Sequence, residues 1–247
     1  QIMNTQGNTY TLLYASVMVI IVAAGLSFAA IKLQPYQEQN IIIEKKQNIL
    51  ASVHLGTDAD SKPNKKVYID QIFSQYITAS FVVNFQGERV EGDAFTVDII
   101  KERNKPIEQR LLPVYVATLD DGQKRYILPL YGKGLWGPIW GYIALKEDFN
   151  TVDGVVFDHK SETPGLGAEI KTLPFQNQFI GKKIFNEQQQ LSSVRVVKNQ
   201  STTNNPNAVD AISGGTITST GVDAMLLEYL KGYERFFQTQ KQVNYEQ

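Results

Sequence analysis

Cysteine is absent from this 247-residue chain, histidine occurs only twice, and no charged side chain precedes Lys32. The missing thiols exclude disulfides, thiolate-held iron–sulfur clusters and cysteine nucleophiles, and suit an oxidising compartment. His54 and His159 lie too far apart in sequence to form a local metal site, so each reads as a surface or hydrogen-bonded residue. Charge of one sign is lacking as well: 24 basic and 25 acidic residues leave a formal net charge of −1. Nothing in that balance attracts a polyanion, and no nucleic-acid partner is expected. A P-loop is missing, no stretch reads as the dinucleotide-binding fingerprint, and no local NADH or nucleotide site is expected.

What the chain does have, first, is an apolar run. Residues 12–31 are almost continuously hydrophobic, about the length a bilayer-spanning helix requires. A cleaved signal peptide is the competing reading, with Ser27-Phe28-Ala29 as a small-residue cleavage site. Its basic n-region is missing and the apolar stretch is too long, so a retained anchor in the lipid bilayer is the expectation. Lys32, Lys45 and Lys46 follow the run, and by the positive-inside rule they weakly favour a cytoplasmic domain. The chain then divides into a tail (1–9), a transmembrane helix (10–33), a juxtamembrane helix and linker (34–66) and a folded domain (67–247).

The pattern beyond the anchor predicts an α+β fold, a β-rich domain with flanking helices. Helical spacing covers 41–53, and 56–66 reads as a linker or surface loop. A short amphipathic helix is expected over 67–77, with Ile72, Phe73 and Tyr76 inward. Candidate strands are 81–85, 95–100, 114–119, 125–130, 139–145, 152–157 and 194–197, with Asp121-Gly122 as a hairpin turn. Helices follow at 173–179 and from about Gly221 to Phe237. The last places Val222, Met225, Leu226, Tyr229, Leu230, Tyr233 and Phe237 on one face, a core stripe. The Asn199-Gln200-Ser201 sequon reads as chance.

Chemistry concentrates in Asp210-Ala211-Ile212-Ser213-Gly214-Gly215-Thr216-Ile217-Thr218-Ser219, just before that helix. Gly214 and Gly215 permit tight or left-handed backbone, and amides turned at a helix N-terminus bind anions. Thr216 would hold its hydroxyl beside that anion pocket. The plainer alternative is a polar loop feeding a cap, with Thr220 and Asp223 as a capping box. A second run, Glu162-Thr163-Pro164-Gly165-Leu166-Gly167, is either a tight surface turn or a loop approaching a flat ligand. In the second case Glu162 or Thr163 bonds polar atoms on the ligand edge and Leu166 covers its face. A third, Gly134-Leu135-Trp136-Gly137, carries either a core tryptophan or a ligand contact, since flanking glycines weaken a strand and allow close approach. Whether Lys133 faces a phosphate or water is left open.

The Asp-x-x-Ser-Gly-Gly-Thr run resembles the flavinylation motif of the FMN-binding domain family, Asp-x-x-(Ser/Thr)-Gly-Ala-Thr, with Gly215 where the family typically has alanine. Together with the runs 132–142 and 159–167 and the single anchor, it looks like the C-subunit family of sodium-translocating NADH:quinone reductases. The resemblance implies one FMN, joined by a phosphoester to Thr216. Candidate cofactor-binding residues are then Asp210, Ser213, Gly214, Gly215, Thr216 and Thr218, with Glu162, Thr163, Gly165, Leu166, Leu135 and Trp136 lining the flavin. It further implies a flavin transferase using FAD as donor, which reads Asp210, Ser213 and Gly214. The other subunits of the complex would move sodium and reduce quinone. The soluble domain would lie on the periplasmic side of a bacterial inner membrane, against the charge bias noted above. The alternatives are the G subunit of the related ferredoxin/NAD electron-transport complex, and an anchored binding module without redox chemistry.

Overall fold

The computed structural model describes residues 7–198, 202 and 204–245, and the sequon lies outside them. Two compact units divide the chain, Gln1–Lys45 and Lys46–Gln247. The first is occupied by helix α1, whose full span is Asn8–Ala51, with Pro35 inside it. This helix is long and apolar enough, by length and composition, to cross a membrane, and its apolar window is wholly exposed.

The second unit is built on a six-stranded antiparallel sheet in the order β2-β1-β3-β4-β5-β6. Its strands are β1 (Ile77–Val83), β2 (Arg89–Val90), β3 (Leu112–Thr118), β4 (Lys124–Lys133), β5 (Pro138–Leu145) and β6 (Val152–His159). Consecutive hairpins fix the register, Tyr115 opposite Ile127 and Leu128 opposite Ile143. Side chains alternate faces along a strand, so two cores form. Val114, Val116, Leu128, Leu130, Ile143 and Leu145 pack under helix α5 (Thr216–Tyr245), joining Val222, Met225, Leu226, Tyr229, Leu230, Tyr233, Phe236 and Phe237. The opposite face buries Tyr115, Ala117, Ile127, Tyr142 and Ala144 under Ile49, Val53 and Phe73. Two phenols reach carbonyls inside these cores: Tyr115 donates to Ala94 (2.7 Å) and Tyr233 to Pro113 (2.6 Å).

The α+β expectation holds, as do the expected strands 114–119, 125–130, 139–145 and 152–157 to within a few residues. The stripe on α5 is buried at every expected position. The expected strand 81–85 begins earlier, at Ile77. Helix α2 spans Lys65–Tyr76, capped by Asn64, whose side chain accepts from Val67 N–H. Its fully buried residue is Ile69, while Ile72, Phe73 and Tyr76 are half-buried. Between Gly56 and α2 lies a 3-10 turn, Ala59–Ser61, with Ala59 buried. Residues 173–179 form α4 (Leu173–Gln176) and a following 3-10 turn.

Three expectations are corrected. Residues 95–100 form no strand: a turn gives way to helix α3 (Ile99–Arg103), because Asp98 caps it by accepting from the amides of Ile100 and Lys101. Strand β7 (Arg195–Val197) does not extend the main sheet but pairs in parallel with β8 (Ala208–Asp210), which the sequence pattern did not reveal. Finally, α5 starts at Thr216, five residues before Gly221. Thr220 and Asp223 therefore form no capping box; Asp223 instead accepts from the Arg195 guanidinium and the Val196 amide.

Candidate flavin-binding site

The first turn of α5 sits at one end of the sheet, where three loops converge. Extending the core stripe backwards by one helical turn from Val222 puts Thr218 and Ser219 on the inner face, and both are buried. Thr216 and Ile217 are left facing out, with Ile217 58% exposed. The first intrahelical bond runs from Ser219 N–H to the Gly215 carbonyl (2.9 Å), so the amides of Thr216, Ile217 and Thr218 precede it and find no acceptor among the described residues. The preceding turn is pinned from both sides: Gly215 N–H donates to Ile212 (3.0 Å), and Ile212 N–H donates to Ser219 Oγ (3.0 Å). Gly214 takes a left-handed φ of +74°, and a Cβ there would stand 2.5 Å from Leu166 Cδ2. A Cβ at Gly215 would meet Ile212 Cγ2 at 3.0 Å.

Loop 160–167, after β6, faces this turn. Glu162 is buried, and both of its carboxylate oxygens are engaged: Oε1 accepts from Trp136 N–H (2.8 Å) and Oε2 from Thr218 Oγ1 (2.6 Å). The Glu162 amide donates to His159 Nδ1 (3.2 Å). Leu166 N–H and Ala168 N–H both reach the Thr163 carbonyl (3.1 Å each), and Gly165 N–H donates to Glu169 Oε1 (3.0 Å). The third segment is the hairpin between β4 and β5, closed by Gly134 N–H to the Gly137 carbonyl (2.8 Å) and by Ser161 Oγ to the Trp136 carbonyl (3.1 Å).

Together these segments enclose a pocket of about 210 Å³ lined by Leu135, Trp136, Glu162, Thr163, Leu166, Gly167, Gly214, Gly215, Thr216, Ile217 and Thr218. Its mouth is apolar and open, with Trp136 65% and Leu135 46% exposed. Residues separated by about eighty positions in the chain thus share one cavity, with free amides at its helical end and hydrophobic side chains around the rim.

Residues 134–231 match the FMN-binding domain family. The crystal structure of the C subunit of the Na(+)-translocating NADH-quinone reductase from Parabacteroides distasonis is 44% identical, covers 83% of this chain and 96% of its own, and superposes with a TM-score of 0.73. The C subunit from Vibrio vulnificus is 32% identical, with 80% of each chain aligned. That of Pseudomonas aeruginosa is 31% identical over 94% of this chain and 96% of its own. The chain belongs to the C-subunit family of the Na(+)-translocating NADH-quinone reductases.

In this family member, nine of the twelve residues singled out from sequence line the pocket. Three do not. Gly165 turns away at a φ of +76° to bond Glu169. Ser213 is exposed on the turn. Asp210 ends β8, its carboxylate accepting from Thr202 Oγ1 (2.9 Å) and its amide donating to Gln178 (2.9 Å). Lys133 is also outside the lining; its carbonyl occupies the space a Cβ at Gly221 would need. Glycines 132, 134 and 137 do carry the Gly-x-Gly-x-x-Gly spacing, which the sequence reading passed over. They lie in an antiparallel hairpin with no helix after it, so the dinucleotide-binding context is missing. Two lining residues were not singled out: Gly167, the second glycine of the 165–167 run, and Ile217, whose place off the core stripe was the available signal.

Proposed function

We propose that this protein is the membrane-anchored electron carrier of a sodium-pumping NADH:quinone reductase, holding one FMN through a phosphoester on Thr216. The observation that carries this reading is the exposed Thr216 side chain at the N-terminus of a 30-residue helix, beside three amides without an acceptor among the described residues and at the mouth of the pocket. That donor set fits a phosphodiester: amide N–H groups and the positive end of the helix dipole stabilise anionic oxygens without a basic side chain. Gly214 keeps the approach clear, since a side chain there would meet Leu166. Leu135, Trp136, Leu166 and Ile217 supply apolar area for a flat ring system, and Thr163 a polar edge. When bound, FMN supplies redox chemistry by one or two electrons, and the protein supplies position and electrostatics.

Among the described residues, Thr216 has no activating base hydrogen-bonded to its hydroxyl. Thr220 Oγ1 donates to the Thr216 carbonyl, not to its hydroxyl, and His159 Nδ1 is already accepting from Glu162. Attachment therefore belongs to a flavin transferase acting on FAD. The Thr216 oxygen bonds the FMN phosphorus, the pyrophosphate bond breaks, AMP leaves, and a base of the transferase takes the hydroxyl proton. The exposed Ser213 and Gly214 and the exposed Asp210 are available to that enzyme as its recognition sequence. We place the anchor in the bacterial inner membrane with the domain on the periplasmic side, and assign sodium movement and quinone reduction to other subunits. A single spanning helix without an intramembrane acid or base offers no ion path.

Mass spectrometry of the Thr216 peptide from cells containing an active transferase tests the reading, with in-gel flavin fluorescence beside it. The expected adduct is FMN less one water, with fluorescence surviving denaturation. An unmodified peptide from such cells would overturn the assignment.

A further inference from the structure

We propose that Glu162 is a positioning residue for the flavin whose fixed negative charge also holds the flavin's reduction potential down. The inference rests on the reading that FMN occupies this pocket, and adds to it a control of the cofactor that no motif specifies. Glu162 lines the pocket, and both of its oxygens are engaged by the protein, one by the Trp136 amide and one by the Thr218 hydroxyl. It thereby ties the β4–β5 hairpin and the start of α5 to loop 160–167.

The carboxylate lies in a cradle made by missing side chains. A Cβ at Gly134 would stand 2.5 Å from Oε1, and a Cβ at Gly167 would collide with Oε2. Both partners are neutral donors, and Glu162 forms no ion pair among the described residues. The nearest imidazole contributes a lone pair to this loop, because its Nδ1 accepts the Glu162 amide. Around the cavity the remaining lining is uncharged. A buried charge with no counter-ion acts over a longer range than a solvated one, because the local dielectric is low and salt screens it poorly. Reduction adds negative charge to the ring, so a fixed anion beside the pocket disfavours the reduced form.

The test uses the full-length flavinylated chain. Glu162→Gln keeps the side-chain shape and removes the charge, whereas Thr218→Val removes one tie and keeps the charge. Mass spectrometry confirms attachment at Thr216, and a spectroelectrochemical titration reads the midpoint potential. Glu162→Gln is expected to favour the reduced form at least about tenfold, a rise of about 59 mV for a one-electron step. Thr218→Val is expected to change that equilibrium less than about threefold, by the same conversion. An unchanged potential in Glu162→Gln, or equal rises in both variants, overturns the proposal: loosening of the pocket would then explain any shift. Should Glu162→Gln fail to fold, Glu162→Asp keeps the charge and must leave the potential low; a tenfold rise there refutes the charge effect. A wild-type chain without flavin would refute the FMN reading instead, so the two failures are distinct.

Discussion

The two ends of helix α5 are built from opposite materials. Its C-terminal half closes the core with Tyr233, Phe236 and Phe237: both phenylalanines meet Phe149, and Phe237 also meets Phe185 edge-on and stacks with Tyr233, at centroid distances of 5.8–6.3 Å. Its first turn meets glycines, hydroxyls and a carboxylate, and leaves a cavity. Aromatic packing fills space to hold the fold, whereas hydrogen bonds around missing side chains keep space open for a ligand. The same helix serves both because its inward stripe changes, over one turn, from Val222 to Ser219 and Thr218.

The comparison is tested most severely at the filled end. Phe237→Ala is expected to cost about 3–5 kcal/mol, measured by denaturant unfolding, because it leaves a void among four aromatic neighbours. Alkaline pH probes the packed cores on both faces of the sheet without mutation. Burial raises Tyr115, Tyr229 and Tyr233 above the usual phenol range. Their protonated forms are favoured by folding, so stability is intact below pH ~10 and falls as pH rises above it. The loss is about 1.4 kcal/mol per tyrosine and pH unit, read from thermal unfolding between pH 8 and 11.

At the open end, stability effects shrink and cofactor effects grow. Gly167→Ala drives a methyl into Glu162 and Thr218. It should cost about 1–3 kcal/mol and sharply reduce flavin attachment, scored by in-gel fluorescence. Trp136→Ala removes a side chain that is mostly exposed, so unfolding should shift by less than about 1 kcal/mol while the attached flavin becomes more accessible to a soluble quencher. An unchanged quenching constant would remove Trp136 from the ring's surroundings. Smallest in stability, within about 0.5 kcal/mol, should be Thr216→Ala, which nevertheless abolishes the covalent flavin. A large loss of cooperative unfolding in that variant would mean that Thr216 belongs to the filled end after all.

What the sequence disclosed follows the same division. The stripe from Val222 to Phe237 and strands β3 to β6 were legible because burial imposes a period along the chain. Helix α3 was missed because Phe95-Thr96-Val97 mimics strand alternation, while Asp98 settles the matter through two amides. The start of α5 was set too late because Gly221 looks like a breaker, yet its bare Cα admits the Lys133 carbonyl. At the site, motif strings brought most of the lining into view. The tie from Trp136 through Glu162 to Thr218 was invisible, since no spacing rule joins residues from three distant segments. It also adds to the meaning of Glu162, which the sequence offered, with Thr163, as a contact for the ligand edge and which the structure ties to two other segments as well.

One further property follows from the margins of the sheet. Strand β2 is two residues long, and beside β6 the Val152 amide and carbonyl are taken by Lys182 and Gly181, with Thr151 bridged to Lys183. Each border is thus closed in part, at Val82 and Val83 of β1 and at Thr151 and Val152 beside β6, which hinders another chain from adding a strand there. Where those borders are closed, a neighbouring chain would meet this domain through side chains and loops and not through a shared ladder.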